Sequence, residues 1–348
     1  MTILRVPDTL AHFADRVPQR LVSAEALARA PTVARSLTAA AGVSLECHLE
    51  RAGPCSRVDV VAALTPTWGG EDIAREGAPY RNCDAWRGVR RFCRAWTDED
   101  TDLSAIGLVG VEIDHNRPDE PYTTVCVQPG YHGRLVQDGS VAPTETALFL
   151  AKRALLHITT EPGEVKATLP AVDAAVAALP TGGALLHVAL ARRGPGVRLV
   201  VAIPLGCVDS YLDAIGWCGD PGVLGALRQA ATFSPYVELY VEVGARGVAP
   251  ELGVGTPSFG PRDGDLAAAV LDAIALSVTA DAAAAGAAVS WLGQEIATVP
   301  GLHWPSLIYR RLCAKLVARE DRSLAAKVYL ELYPVFDVRV GPWTREAV

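Results

Sequence analysis

The sequence predicts an α+β fold in which ten antiparallel strands close into a barrel surrounded by helices. Two observations predict it: short runs of alternating polar and apolar residues occur in adjacent pairs five times, and a helix-like stretch lies between successive pairs. Alternation with a period of two is typical of strands with one buried face. Five αββα repeats therefore predict ten strands. The paired runs are 43–50 with 57–64, 105–114 with 121–128, 184–192 with 196–203, 236–244 with 250–256, and 309–318 with 324–332.

The elements follow one another with short connections. The stretches with helical spacing are 8–40, 70–97, 144–180, 207–216, 221–231 and 264–298, the last with a break near Gly286. Glycine, proline and polar residues mark the turn of each hairpin. The turns are expected at 52–54, 115–121, 193–196, 246–247 and 321–322. No low-complexity linker divides the chain, so we expect one αββα-repeat domain over residues 1–348.

Within each strand, the polar residues share one face. In the run 237–243 that face carries Glu238, Tyr240 and Glu242, and the opposite face is apolar. Only the helices can cover the apolar faces, so the polar faces would line a lumen. An open antiparallel sheet with water on one face explains the alternation as well, but the fivefold repeat favours closure. The other residues assigned to the inner face include Glu46, His48, Glu50, Arg57, Asp59, Glu112, Asp114, Lys315, Lys327, Tyr329 and Glu331.

Composition narrows the class of protein. The net charge is −7 and no basic stripe is visible, which argues against a nucleic-acid partner and against an anionic membrane surface. The apolar stretch 265–292 is interrupted by Asp272 and Asp281, so it indicates packed helices and not a membrane span. The eight cysteines include no CxxC pair, which indicates free thiols. The first residues of the chain already carry charged side chains, which does not fit a secretory signal. We therefore expect a cytoplasmic protein. P-loop, GxGxxG, HExxH and GxSxG motifs do not occur.

The order of elements over nearly the whole chain resembles that of the ABBA aromatic prenyltransferases, whose fold is a ten-stranded barrel of αββα units. Two motifs add to the resemblance. The segment Ser44-Leu-Glu46-Cys, followed by Ser56-Arg57-Val, is similar to the first hairpin of the indole and peptide branches. Lys327-Val-Tyr329 is similar to the Lys-x-Tyr pairs beside the diphosphate site. Length and first hairpin resemble most the peptide-modifying members from cyanobactin pathways.

The resemblance implies an enzyme of natural-product biosynthesis. It would transfer an allylic group, dimethylallyl or longer, from its diphosphate to an aromatic small molecule or to a side chain of a ribosomal peptide. Cationic and phenolic groups would stabilise the leaving diphosphate, and aromatic faces would shield the carbocation. Glu46 would receive the N–H of the acceptor as the catalytic carboxylate. The diphosphate ligands implied are Arg57, Arg198, Lys315, Lys327, Tyr240 and Tyr329.

The inner face holds more acids than a diphosphate site needs, and this leaves alternatives open. Glu112, Asp114 and Glu238 could contact the acceptor or bind Mg²⁺, a cation that prefers carboxylate oxygens. The resemblance implies that no cofactor is required, with Mg²⁺ as the option that these acids leave open. The alternative function is a non-catalytic barrel that binds a peptide or a small molecule in an acid-rich lumen, because fold alone does not decide function.

Overall fold

The strands and helices follow the predicted hairpin order. The computed structural model describes residues 4–49, 53–75, 84–128, 143–192, 194–220, 224–225, 228, 234–300, 302, 305–321 and 323–335. The strands are β1 (Gly42–His48), β2 (Val58–Leu64), β3 (Leu108–Ile113), β4 (Pro121–Cys126), β5 (Ala184–Leu190), β6 (Val197–Pro204), β7 (Tyr236–Gly244), β8 (Gly247–Gly255), β9 (Gly293–Ala297), β10 (Ser306–Ala318) and β11 (Leu324–Val335). The helices include α1 (Val6–Phe13), α2 (Ala24–Val33), α3 (Gly70–Ala74), α4 (Asp84–Trp96), α5 (Thr144–Ile158), α6 (Pro162–Ala177), α7 (Val208–Ala214), α8 (Gly264–Val278) and α9 (Ala282–Val289).

Ten of these strands close into a barrel. Strands β1 to β8 pair in sequence order, β8 pairs with β10, β10 pairs with β11, and β11 pairs back with β1. Every pairing is antiparallel, and Glu46 lies opposite both Tyr329 on β11 and Asp59 on β2. The closed ten-stranded barrel predicted from the five hairpins is confirmed.

The apolar faces of the strands point outward and pack against the helices. On β7, Val237, Leu239, Val241 and Val243 are all buried in one core that also contains the apolar faces of the helices. Burying each such side chain contributes about 1.5–3 kcal/mol relative to exposure. The polar residues between them therefore face the lumen.

Helix α4 shows how the outer layer follows from the sequence. Its apolar residues recur at helical spacing, and Trp86, Val89, Phe92 and Trp96 are nearly inaccessible to solvent. The indole Nε1 of Trp96 donates to the carbonyl oxygen of Ile106 at 2.7 Å, so its polar edge is satisfied in the core.

The segment 264–298 differs from the prediction. The break between α8 and α9 falls at 279–281 and not near Gly286, because Thr279 takes a left-handed conformation and Asp281 caps α9 by accepting from Ala283 N at 2.9 Å. The end of the segment is not helical but forms β9. This short strand pairs with residues 306–310 of β10, beyond the point where β8 ends. This segment becomes a strand because it pairs with the open edge of β10. Local sequence does not encode such a tertiary pairing.

Some expectations lie outside the described residues: Glu50, Cys83, the turn residues Ala52, Arg193 and Arg322, and most of the stretch 221–231. The other seven cysteines are free. Among the helices that are described, none is long and apolar enough to cross a bilayer.

Candidate functional site

The lumen contains two adjoining cavities, each of about 230 Å³. The outer cavity includes the exposed side chains of Arg57 and Arg319, and the inner cavity includes Glu46, Glu238 and Tyr329. Five residues line both cavities, and we call this set the junction: Arg192, Arg198, Tyr240, Lys315 and Lys327. Four of the five are bases. A predominantly acidic chain therefore concentrates positive charge at one place in its lumen.

Three of the junction cations form ion pairs with carboxylates on neighbouring strands. Arg198 lies opposite Glu242 in the β6–β7 register, and its Nε donates to Glu242 Oε1 at 3.1 Å. Lys327 donates to Glu46 in the inner cavity. The pairs are Arg192 with Glu112, Arg198 with Glu242, and Lys327 with Glu46. Three of the acids predicted for the inner face, Glu46, Glu112 and Glu242, therefore neutralise these cations.

Lys315 differs from the other three cations. Only 7% of the residue is exposed, and no carboxylate oxygen of the described residues lies within ion-pairing distance of its ammonium. Its Nζ lies 3.5 Å from the centroid of the Tyr240 ring, a cation–π contact. Burial lowers the pKa of Lys315 well below its ordinary value, and the nearby charges of Arg198 and Lys327 lower it further. An anion at the junction would relieve this repulsion.

Two glycines of β8 make room for this arrangement. Gly255 lies opposite both Glu238 on β7 and Lys315 on β10, so the space between these side chains is not filled by a residue on β8. A Cβ on Gly253 would lie 2.6 Å from Lys315 Cε and 3.0 Å from Tyr240 Cβ. The side chains of Lys315 and Tyr240 therefore pack against the backbone of β8 at position 253, where a larger residue would collide with them.

Glu46, the predicted catalytic carboxylate, lies at the wall of the inner cavity with 1% of its side chain exposed. Burial would raise its pKa. The charge of Lys327 and hydrogen bonds from Lys327 and Tyr329 outweigh burial and lower the pKa of Glu46 to about 2. A carboxylate held in its ionised form this firmly is a weak proton acceptor near neutral pH. Its geometry suits it to holding Lys327 and Tyr329 in place.

Glu112 and Asp114, assigned to an acceptor or a metal, lie in different cavities. Glu112 lines the inner cavity and pairs with Arg192, while burial raises its pKa. Asp114 lines the outer cavity, where its Oδ1 accepts from the backbone nitrogen of Asn116 at 2.8 Å. The structure therefore does not bring these two carboxylates together in one cavity, and their role toward an acceptor or a metal stays a prediction.

Glu238 lies in the inner cavity beside the junction. Its Oε2 accepts from the hydroxyl of Tyr240 at 3.2 Å, and it has no ion-pair partner among the described residues. Burial raises the pKa of Glu238 to about 7, with a smaller contribution from Glu331, while the hydrogen bond from Tyr240 and the charge of Lys315 oppose the shift. Glu238 is therefore a partly buried carboxyl whose pKa matches neutral pH.

Sequence reasoning missed several residues of the site. Arg192 lies two residues beyond the end of β5 and is out of phase with the inward-facing His187 and Ala189, so its inward position could not be counted from the alternation. Arg319 shares the phase of Lys315, which is the signal that could have found it. Gly253 and Gly255 face inward, but in the sequence they indicate a strand end followed by a loop.

One cluster could hold a metal ion. Glu46, His48 and Asp59 each offer a ligand atom, and these atoms all lie within 4.8 Å of one another. However, Glu46 already forms an ion pair with Lys327, and Mg²⁺ prefers oxygen ligands to an imidazole. These residues do not fit Mg²⁺.

Comparison with known proteins supports the fold. No family model matches the chain, and no curated protein matches it in sequence. Among solved structures, AnaPT from Neosartorya fischeri is similar with a TM-score of 0.50 and 11% sequence identity, over 83% of this chain and 77% of AnaPT. At this identity the likeness establishes the fold alone, which is the barrel of the ABBA prenyltransferases. The superfamily and its indole or cyanobactin branch stay predictions.

Proposed function

We propose that this protein transfers an allylic group, dimethylallyl or longer, from its diphosphate to an electron-rich aromatic acceptor. The acceptor would be an indole or phenol, free or on a peptide side chain. The observation that carries the proposal is Lys315, a buried amine for which the described residues offer no carboxylate partner, at a junction with three further cations. A buried unpaired charge is costly, so such a group is best explained by an anionic ligand.

The ion pairs do not prevent the junction from binding a diphosphate. A guanidinium has five N–H donors in a planar fork, and an ammonium has three. Arg198 uses two of its nitrogens on Glu242, which leaves its remaining donors for a phosphate oxygen. Lys327 likewise gives one contact to Glu46. The carboxylates fix the cations, and the diphosphate would add to them without having to separate any pair.

The junction would bind the leaving group, and the inner cavity would hold the acceptor. With the diphosphate at the junction, breaking the allylic C–O bond leaves the electron pair on pyrophosphate, whose developing charge Lys315, Arg198 and Lys327 would stabilise. The rings of Tyr240 and Tyr329 lie on the inner side, where they would shield the carbocation from water. The aromatic acceptor would occupy the inner cavity and attack the carbocation there.

Binding and transfer test the proposal together. We expect dimethylallyl diphosphate to release heat in isothermal titration calorimetry, without added Mg²⁺, and to prenylate at least one member of a panel of indole, phenol, tryptophan and a tryptophan-containing peptide. The products would be detected by mass spectrometry. Absence of binding both with and without Mg²⁺ would contradict the proposal.

Gly253→Ala tests how the junction is built. The added methyl group would push the Lys315 side chain away from Tyr240, because the new carbon would lie 2.6 Å from Lys315 Cε. We expect diphosphate affinity to fall on the order of tenfold, or about 1.4 kcal/mol, in calorimetry. The control is Gly286→Ala in α9, where a Cβ meets nothing within 4 Å. It should keep the affinity and stabilise the fold by about 0.5–1 kcal/mol. Equal affinities for both variants would show that position 253 does not shape the junction.

A second candidate function is a non-catalytic barrel that binds a peptide or small molecule. The observation in its favour is that Arg192, Arg198 and Lys327 are already paired with carboxylates. Calorimetry and the prenylation assay together separate the two functions. A non-catalytic barrel would bind the acceptor alone and would not prenylate it when dimethylallyl diphosphate is present.

A further inference from the structure

The proposed transfer produces a proton that some group must accept. When an aromatic carbon or nitrogen attacks the carbocation, the new bond leaves one proton too many on the acceptor. The other carboxylates of the inner cavity, Glu46, Glu112 and Glu331, form ion pairs with Lys327, Arg192 and Arg311 respectively. Taking up a proton would weaken that pairing.

Glu238 differs in geometry from the other three carboxylates of the inner cavity. Its contact among the described residues is the hydroxyl of Tyr240 at 3.2 Å, and Tyr240 is also the ring against which Lys315 rests. Glu238 on β7 and Lys315 on β10 both lie opposite Gly255 of β8. Because Gly255 has no side chain, no side chain of β8 separates the carboxyl from the cation at this position. The carboxyl therefore borders the acceptor cavity directly beside the expected diphosphate site.

We infer that Glu238, and not Glu46, is the catalytic residue that takes the proton of the aromatic acceptor. This inference rests on the proposed function. The allylic C–O bond breaks and pyrophosphate keeps the electron pair. The acceptor then bonds to the allylic carbon. Its surplus proton passes to a carboxylate oxygen of Glu238, which restores aromaticity and leaves Glu238 neutral. Release of that proton to solvent after the product leaves completes the cycle.

Neighbouring groups set the protonation of Glu238. The titratable and charged groups that face it are Tyr240 on β7, Lys315 and Cys313 on β10, Glu331 on β11 and Cys126 on β4. Burial and Glu331 raise its pKa, whereas Tyr240 and Lys315 lower it, and the outcome is about 7. Because the ionised form accepts the proton, the turnover rate of the wild type should increase as the pH increases through about 7.

Glu238→Gln tests the inference on the acceptor from the panel that the wild type prenylates fastest. We expect turnover to fall at least 100-fold and its rise with pH near 7, the pH-dependent limb of the rate profile, to disappear. The dissociation constant for dimethylallyl diphosphate should stay within about threefold of the wild type. Glu238→Asp, which keeps a carboxylate, should retain the limb at a reduced rate. In Glu238→Ala, added acetate should restore part of the turnover.

Glu46→Gln provides the comparison. It removes the charge that holds Lys327, so it should change the affinity for dimethylallyl diphosphate and keep the pH-dependent limb. Turnover in Glu238→Gln within threefold of the wild type, or loss of the limb in Glu46→Gln alone, would overturn the inference and leave the proposed transfer intact. Diphosphate binding by a wild type that prenylates none of the acceptors would overturn both.

Discussion

Replacing Lys315 with methionine is expected to weaken the binding of dimethylallyl diphosphate about 30- to 150-fold, which corresponds to about 2–3 kcal/mol. Lys315 is the buried cation of the junction that has no carboxylate partner among the described residues, so its charge is fully available to the ligand. Calorimetric titration of both proteins measures the change. The control is Arg57→Met at the exposed rim of the outer cavity, where solvent screens the charge and the loss should be below about fivefold.

The same substitution should stabilise the ligand-free protein. The pKa of Lys315 is lowered in the folded state, so at neutral pH the charged form favours the unfolded chain, and this penalty disappears only above the ordinary pKa of lysine. Methionine removes the penalty, and we expect an increase on the order of 1 kcal/mol in the free energy of unfolding. A variant that binds diphosphate as the wild type does, with unchanged stability, would show that Lys315 is not the anion ligand.

Glu46→Ala is expected to lower the free energy of unfolding by about 3 kcal/mol, because it leaves the ammonium of Lys327 in the lumen without its partner. Urea denaturation monitored by fluorescence measures the loss. The double variant Glu46→Ala with Lys327→Met should recover much of it, since no unpaired charge remains. The control is Glu25→Ala, which removes an exposed ion pair with Arg29 on α2 and should cost less than about 0.5 kcal/mol.

The pH dependence of stability has a definite sign for this pair. The pKa of Glu46 is lowered from 4.5 to about 2 in the folded protein. Its contribution is therefore present above about pH 4.5 and is lost as the pH falls through about 2. A Glu46→Ala variant as stable as the wild type at neutral pH would contradict the buried ion pair.

The sequence was sufficient to predict which residues face the lumen, because side chains of a strand alternate strictly and the apolar face needs a cover. Alternation places Glu46, Lys315 and Lys327 on the inner face, and all three line the cavities. What the pattern could not give was the pairing of bases with acids, because this depends on the register between strands that are distant in the chain. Lys327 and Glu46 are 281 residues apart.

Residues that do not follow the alternation could not be predicted from the sequence for a different reason. Arg192 lines the lumen from beyond the end of β5, and Gly253 contributes by having no side chain. Strand β9 forms because β10 extends beyond β8 and offers free backbone groups. Each of these depends on tertiary contacts that local propensity does not encode.

A crystal structure with dimethylallyl S-thiolodiphosphate, an analogue that resists ionisation, tests the central claim most directly. We predict that its phosphate oxygens lie within hydrogen-bonding distance of Lys315 and Arg198, with the allylic chain directed into the inner cavity towards Tyr240 and Glu238. Binding of the analogue on the outer surface, or an empty lumen at saturating analogue, would contradict a diphosphate site at the junction and with it the proposed transfer.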